Sequence, residues 1–500
     1  MNNLFSKSTL RHIEIIKLLH MYSNTVNKNK ILIELDIKDS TIKKDIVTMN
    51  QLYSDILTIK LDNNIIELQY INNCSIESFY RFIVKSSSIL DIIENIFFNS
   101  YYSLEELAND SYLSVSTTYR IINKFNTISK KYYGFEVDTK NLDFKGDERN
   151  VRTFFVQLFK EKYAYSEWPF KEIERSSFHN MIIEFYNINN AKFVYSFLEI
   201  MSLICAVNFT RIKNKGFIMN NIDKNNINLN SLQNYINSNP FKEFFNKFNI
   251  VLNEDNLIEL FYNYLNKDFI FSFKEMIEKS KYVNLISSSL LKILSETDRI
   301  RKKFKLNLEN LDELIIRIHN GAILYNTNTN INYIAYNRND FYVTQIKQVF
   351  PKFTKDVELF IQDLLIEIKG VAKPFEINHL TYILISTWND LIPQLFSKKS
   401  KLKTLILSRF NSYHAGSLKS QLDLYFKLIL DTHLYTENIL DLKHIENSDY
   451  DLIIADFNPP EKINQPWFYI HENPTIKDYL SISETISLLI NKRWLIDNDE

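Results

Sequence analysis

Along most of the chain, up to about residue 395, apolar residues return every three or four positions, the spacing of helices that bury one face. The amino-terminal third shows one order of elements twice. In the first stretch LRHIEIIKLLHMY, NKILIELDI and STIKKDIVTMNQLY predict three helices, the third with Asp39 or Ser40 as its N-cap. LTIKLDNNIIELQY then alternates about an Asp62-Asn63-Asn64 turn, as two paired strands do. In the second stretch SILDIIENIFF, SLEELANDSYL and SVSTTYRIINKFNTISKKY predict three more helices, with Ser103 and Glu106 in capping-box register. GFEVDTKNLDFKGDE supplies a second hairpin. Three helices and a hairpin is the order of a winged helix-turn-helix, and SYLSVST has the length of its turn. The modules expected are residues 1–70 and 71–149.

Residues 150–395 are helical and aromatic, without the punctuation of a cofactor fold. NVRTFFVQLFKEKY, SSFHNMIIEFYNI, FVYSFLEIMSLICAVNFTRIKNK and NLIELFYNYL form one helical set. SSLLKILSETDRIRKKF, LDELIIRIHNGAILYN, DVELFIQDLLIEI and EINHLTYILISTWNDL form another. SKKSKLK (397–403) reads as a linker into a different texture. There LKTLILSRF, YDLIIADF and PWFYIH are strand-length apolar runs, AGSLKSQLDLYFKLIL lies between the first two as a helix, and ISETISLLINKRW follows as another. Strands alternating with helices predict a parallel sheet. The fold class expected is therefore mainly α and multidomain: two winged helix-turn-helix domains, two all-helical bundles and a C-terminal α/β domain at 400–495.

Composition removes many chemistries. The six glycines are scattered, which excludes a Walker A loop, a GxGxxG fingerprint and a GxSxG elbow, since each needs clustered glycines. Cys74 and Cys205 form no CxxC pattern, which argues against a zinc ribbon or disulfide framework and fits a reducing cytoplasm. MNNLFSKSTLRH has no apolar core, so no signal peptide is expected. The run from Val194 to Phe209 is shorter than the ~20 apolar residues of a bilayer span, carries Glu199, and reads as a buried helix. A net charge of −1 gives no global attraction to nucleic acid. Residues 1–60 hold nine Lys/Arg against six Asp/Glu, and 61–150 hold nine against thirteen, so any such site is local.

The third helix of each amino-terminal module offers that locality. Ser40, Thr41, Lys43 and Lys44 stand at the start of one; Ser116, Thr117, Thr118, Tyr119, Arg120 and Lys124 line the other. A recognition helix presents its first turns to the major groove, where Ser, Thr and Arg reach base edges and Lys meets phosphate. One such helix is equally well a solvated face, but two in tandem favour DNA. Among the histidines, His12 and His20 lack metal-ligand spacing and read as ordinary helix residues. His179, His319 and His379 are isolated on amphipathic helices: core or surface residues, or phosphoacceptors, since imidazole is a nucleophile near neutral pH. His414, near Gly416, stands where an anion could approach a helix N-terminus.

The order of parts, with FKGDERNVRTFFVQLF (144–159), EWPF (167–170) and AVNFTRIKNKGF (206–217), resembles the Mga/AtxA-type virulence transcription regulators of Gram-positive bacteria over the whole chain. The resemblance implies two phosphotransferase-system regulation domains (PRDs), at 150–280 and 281–396, and an enzyme IIB-like domain at 400–495 that supports dimerisation. It implies histidine phosphorylation by the phosphocarrier protein of the sugar phosphotransferase system. His319 in LIIRIHNGAILYN matches a PRD motif best, His379 in EINHLTYILISTW is slightly displaced, and His179 is a looser match. SFLEIMSLICAVNFTRI has no histidine where many PRDs carry one. SRFNSYHAG lacks the cysteine of a IIB phosphocarrier, so a structural or dimerising role is expected there. The function implied is a cytoplasmic, homodimeric transcription activator on double-stranded DNA, with no cofactor, metal or membrane and no enzymatic activity. The competing classes are a PRD-containing RNA-binding antiterminator, whose amino-terminal module would be β-rich, and a phosphocarrier or non-catalytic interaction protein of the phosphotransferase system.

Overall fold

The computed structural model describes residues 4–191, 195–214, 216–218, 226–228, 232–324, 333–437, 439–459 and 463–499, the side chains of 196 and 491–499 excepted. Met1–Asn3, Val194 at the head of the long apolar run, residue 215 in AVNFTRIKNKGF, and Tyr325 and Asn326 at the end of LIIRIHNGAILYN lie outside the described residues. The first module is α1 (Lys7–Met21), β1 (Thr25–Asn27), α2 (Lys28–Leu35), α3 (Asp39–Leu52), β2 (Leu57–Asp62) and β3 (Ile65–Tyr70). Its sheet runs β1-β3-β2, antiparallel throughout, with Leu57 opposite Tyr70 and Asp62 opposite Ile65. Asn63 and Asn64 turn the hairpin at φ 44° and 65°, the left-handed pair that a two-residue turn needs and Asn tolerates. β1 was not expected; it is three residues long and supplies one buried side chain, Val26.

α4 (Ile76–Lys85), also not expected, leads into α5 (Ser88–Phe98), α6 (Leu104–Asp110), α7 (Val115–Tyr132), β4 (Phe135–Asp138) and β5 (Asp143–Gly146). The capping box forms in half. Ser103 accepts the Glu106 amide, but the Glu106 carboxylate takes the amide of Tyr102 rather than that of Ser103. α8 (Glu148–Lys162) opens the helical region, followed by α9 (His179–Ile188), α10 (Tyr195–Lys213), α11 (Leu232–Asn237), α12 (Asn239–Lys247), α13 (Glu254–Phe261) and α14 (Phe273–Lys279). One buried apolar cluster runs from Leu4 to Leu265 and takes in Ile334. The apolar run in α10 faces this core through Met201, Cys205, Ala206 and Phe209. Among the described residues no helix is long and apolar enough to cross a membrane.

α15 (Asn284–Lys303), α16 (Leu311–Leu324), α17 (Arg338–Val349), α18 (Pro351–Lys369), α19 (Pro374–Thr387) and α20 (Leu391–Phe396) make the second helical set. The chain divides into two compact units that cut through it. Residues 1–293, 315–345 and 361–383 form one, and 294–314, 346–360 and 384–500 the other. The second unit carries a parallel sheet of β6 (Leu402–Leu407), β7 (Leu430–Leu434), β8 (Leu452–Ala455) and β9 (Trp467–Tyr469), ordered β7-β6-β8-β9, with α21 (Ser412–Phe426), α22 (Leu442–Glu446) and α23 (Ile476–Asp499). Strand alternation sends Leu402, Ile406, Leu452 and Ile454 to one face with α21 and α23, and Leu405, Leu407, Ile453 and Ala455 to the other with α22. The helix expected through Leu430 stops at Phe426, because β7 begins there as an edge strand whose Asp431 is exposed to solvent.

Candidate nucleic-acid interface and histidine sites

In each module the helix before the candidate reading helix is stopped by a left-handed residue that is not glycine: Asp36 at φ 49° after α2 and Tyr112 at φ 54° after α6. α7 then starts from Ser114, whose hydroxyl accepts the Thr117 amide. α3 starts differently from expectation. Its N-cap is Lys38, without a side-chain cap, because Asp39 is engaged elsewhere. The Asp39 carboxylate lies 2.6 Å from the Lys28 ammonium and 2.7 Å from that of Lys43, which hold its pKa below the ordinary value, Lys28 more than Lys43.

Ser40, Lys43 and Lys44 are exposed and Thr41 is half-buried, while Ile42, Asp45, Ile46 and Met49 face inward. On α7, Ser116, Tyr119, Arg120 and Lys124 are exposed and Thr117 is half-buried. Thr118 corrects the reading from sequence: it is fully buried, its hydroxyl donating to the Ser114 carbonyl, so it cannot reach a groove. Asn123 lies exposed on the same face between Arg120 and Lys124, and Val47 occupies the matching place on α3. Neither was singled out from sequence; the three- and four-residue spacing from Tyr119 and Lys43 was the available signal.

Each reading helix grips its own hairpin through one asparagine. The Asn50 amide donates to the Ile59 carbonyl at 2.8 Å and its oxygen accepts the Ile59 amide at 2.7 Å. Asn126 does the same to Val137, at 2.8 Å in both directions. In an antiparallel strand the N–H and C=O of one residue point to the same side. β2 and β4 are edge strands, and each asparagine supplies the partner that a missing neighbour would. Ser116 stands as far before Asn126 as Ser40 does before Asn50. Asp45, unremarked in the sequence, pins α3 to α1 by taking two hydrogen bonds from Arg11, at 2.5 and 2.7 Å.

The second hairpin is tied to the helical region by buried charge. Arg211 on α10 reaches Glu148 on α8 at 2.8 and 2.9 Å and Asp143 on β5 at 3.3 Å. Arg152, wholly buried, reaches the Glu259 carboxylate at 2.6 Å and the carbonyls of Glu259 and Gly216 at 2.6 and 2.8 Å. Buried guanidinium groups persist only when their donors are met in this way. A Cβ on Gly216 would stand 2.4 Å from the Arg211 guanidinium, so a larger residue there would have to displace it from Glu148.

The histidines are dispersed. His319 on α16 is fully buried: Nε2–H donates to the Asp268 carbonyl and Nδ1 accepts from the Ser289 hydroxyl, both at 2.8 Å, and burial lowers its pKa. His379 on α19 is half-buried; Nδ1 accepts from the Asn339 amide at 2.8 Å, and burial, then Lys160, pushes its pKa down to about 3. His179 is half-buried at the start of α9, with Nε2 enclosed and lacking a hydrogen-bond partner among the described residues. His12 lies in the core against Tyr53, and His20 against Phe341 and Tyr70. His414 is not open to an anion, because Nδ1 meets the Ser408 hydroxyl at 2.7 Å and Nε2 the Glu472 carbonyl at 2.8 Å. Among the described residues no cluster of His, Cys, Asp and Glu is arranged to hold a metal ion.

Comparison with known proteins places two families on the chain. The Mga helix-turn-helix domain matches residues 72–159, and the M protein trans-acting positive regulator (MGA) PRD domain matches 171–391. A putative trans-acting regulator of Streptococcus pneumoniae serotype 4 (strain ATCC BAA-334 / TIGR4) is 28% identical over 507 aligned residues that span both chains in full. The capsule synthesis positive regulator AcpA of Bacillus anthracis is 25% identical over 212 residues, 41% of this chain and 43% of that protein.

Proposed function

Because the chain belongs to the Mga/AtxA family of PRD-containing, virulence-linked DNA-binding regulators, a family of transcription regulators and not of enzymes, we propose that both amino-terminal modules are winged helix-turn-helix domains that read one duplex together. The observation that carries this is the repeated device: an exposed polar helix face in each module, at the same distance from an asparagine that clamps the hairpin. Ser40, Thr41, Ser116, Thr117, Tyr119 and Asn123 are the groove-facing side chains in this reading. Lys43, Lys44, Arg120 and Lys124 neutralise phosphates, with Lys43 exchanging Asp39 for DNA.

The domain limits that follow are 1–70, 71–149, 150–280, 281–396 and 400–495, the last being IIB-like with Ser408 at the end of β6 where a phosphocarrier would hold cysteine. A homodimer held through the C-terminal domain and the PRDs would set the separation of paired reading helices. Phosphorylation by the sugar-system phosphocarrier adds about two negative charges to a PRD histidine and shifts that geometry. His379 and His179 keep part of their surface exposed, though Asn339 holds one nitrogen of the first and Nε2 of the second is enclosed, whereas His319 is fully buried with both nitrogens bonded. Fluorescence anisotropy of the full chain with AT-rich promoter duplexes, at several salt concentrations, tests the reading. Duplex binding that weakens steeply with salt is expected. Equal affinity for a hairpin RNA, or none for duplexes at low salt, overturns it.

A further inference from the structure

Within the first compact unit, the segment Tyr333–Phe341, which ends in the first turn of α17, touches every part that a regulator must couple. Its amides at Ile334, Ala335 and Tyr336 all donate to the Glu161 carboxylate on α8, at 2.7, 2.7 and 3.1 Å. The Tyr133 hydroxyl, just past α7, donates to its Tyr333 carbonyl at 2.8 Å. Toward the first module, Phe341 lies 4.8 Å from His20 of α1; toward α4, which follows that module, Tyr336 stacks on Tyr80 with ring centroids 4.4 Å apart and Arg338 pairs with Glu77 at 2.7 Å. Toward α19, Asn339 donates to His379 and Asp340 accepts from Asn378 at 2.7 Å.

We propose that Tyr333–Phe341 is a strap that fixes the two amino-terminal modules in one mutual orientation and carries the charge state of His379 to them. The attachment is cooperative by construction. Three amides share one carboxylate, so losing the segment would leave the enclosed Glu161 with the Gln157 amide but without those three donors, and partial release gains little. His379 sits at the other end of the same short rod: Asn339 and Asp340 form the first turn of α17, with Asn337 capping it by accepting the Asp340 amide. A negative group on His379 takes away the nitrogen that Asn339 holds and draws on the Lys160 cation, which acts on this imidazole from α8 beside Glu161. The lost bond loosens the turn that anchors Tyr336 and Phe341. A rigid element with two discrete arrangements is what transmission between separate sites requires.

The inference rests on the proposed reading only for the use made of the orientation; its test needs no DNA, so the two can fail separately. Spin labels at Lys43→Cys and Lys124→Cys, in a Cys74→Ser full-length chain whose Cys205 is buried, report the separation of α3 and α7 by pulsed dipolar spectroscopy. Amide exchange over 333–341 reports attachment of the strap. Glu161→Gln and, independently, Tyr336→Ala should speed that exchange by at least about tenfold, a loss of ~1.4 kcal/mol, and broaden a single label separation into a distribution. His379→Glu should do both, and should add nothing to either release variant. Free exchange of the strap with an unchanged separation overturns the locking role. Unchanged exchange in His379→Glu overturns the coupling, and unchanged exchange in both release variants overturns the strap itself.

Discussion

Replacing Asn126 by alanine tests whether the reading helix and its hairpin form one mechanical piece. The substitution removes two hydrogen bonds of 2.8 Å and leaves the N–H and C=O of Val137 on the outer edge of β4. Val137 is 1% exposed, so water has little room to replace the amide. An unmet buried backbone group costs about 1–3 kcal/mol, which puts the loss for the pair at ~2–6 kcal/mol. At 1.4 kcal/mol per factor of ten, local opening of the hairpin should become at least roughly 30-fold more frequent. Hydrogen exchange over residues 135–138, followed by mass spectrometry on the full chain, reads this directly, with the parallel sheet of the second unit as the internal reference. Asn50→Ala should produce the same acceleration at Ile59, which is 2% exposed, and leave the second hairpin alone. Duplex affinity should fall in both variants while the salt dependence stays as it was, because no phosphate contact has been removed. Acceleration below about fivefold, equivalent to ~1 kcal/mol, would mean that water satisfies the strand edge and that the clamp is incidental.

Lys44→Ala and Lys124→Ala should each flatten the dependence of log affinity on log salt by ~0.9 in an anisotropy titration; an unchanged slope removes that lysine from the interface. Thr118→Val should leave duplex affinity untouched while lowering thermal stability, since its hydroxyl is used inside the helix; a binding defect without instability would contradict its burial. His379 and His319 have folded pKa values below the ordinary 6.5, so the unfolded chain binds the extra proton more readily. Their contribution to stability is complete above pH 6.5 and is lost as pH falls below it, for His379 down to about 3. Melting midpoints should therefore drop between pH 7 and pH 5, and His379→Gln should drop less; identical drops would assign the effect elsewhere. With the purified phosphocarrier supplied in its phosphorylated form, phosphate should reach His379 sooner than His319; the opposite order would show that the burial of His319 does not protect it.

Regular periodicity made the element order readable, and Asn63-Asn64 announced the first hairpin by residue type alone. α4 was legible in principle: Ile76, Phe79, Tyr80, Ile83 and Val84 follow helical spacing, but they lie in the connection between two recognised modules. Thr118 was misread because a threonine small enough for the core carries the same hydroxyl as one facing a groove. The N-cap of α3 moved to Lys38 because Asp39 answers to Lys28, a residue brought near only by folding. β7 hid because an edge strand keeps polar residues on its open side, Asp431 among them. Asn50, Asn126 and Glu161 gave no sequence signal at all, since each acts on backbone groups of a segment that any side chain could occupy.

The enclosure of His319 also has a meaning in time. A chemical donor arriving from outside finds both imidazole nitrogens occupied, so reaction there can proceed no faster than neighbouring helices drift apart. In the proposed phosphorylation His379, which keeps part of its surface exposed and has one nitrogen held by Asn339, needs a smaller opening. A brief pulse of donor would mark one residue and fade before reaching the other; a sustained supply would mark both. One polypeptide would thus distinguish a passing signal from a lasting one by the depth at which two like side chains are set.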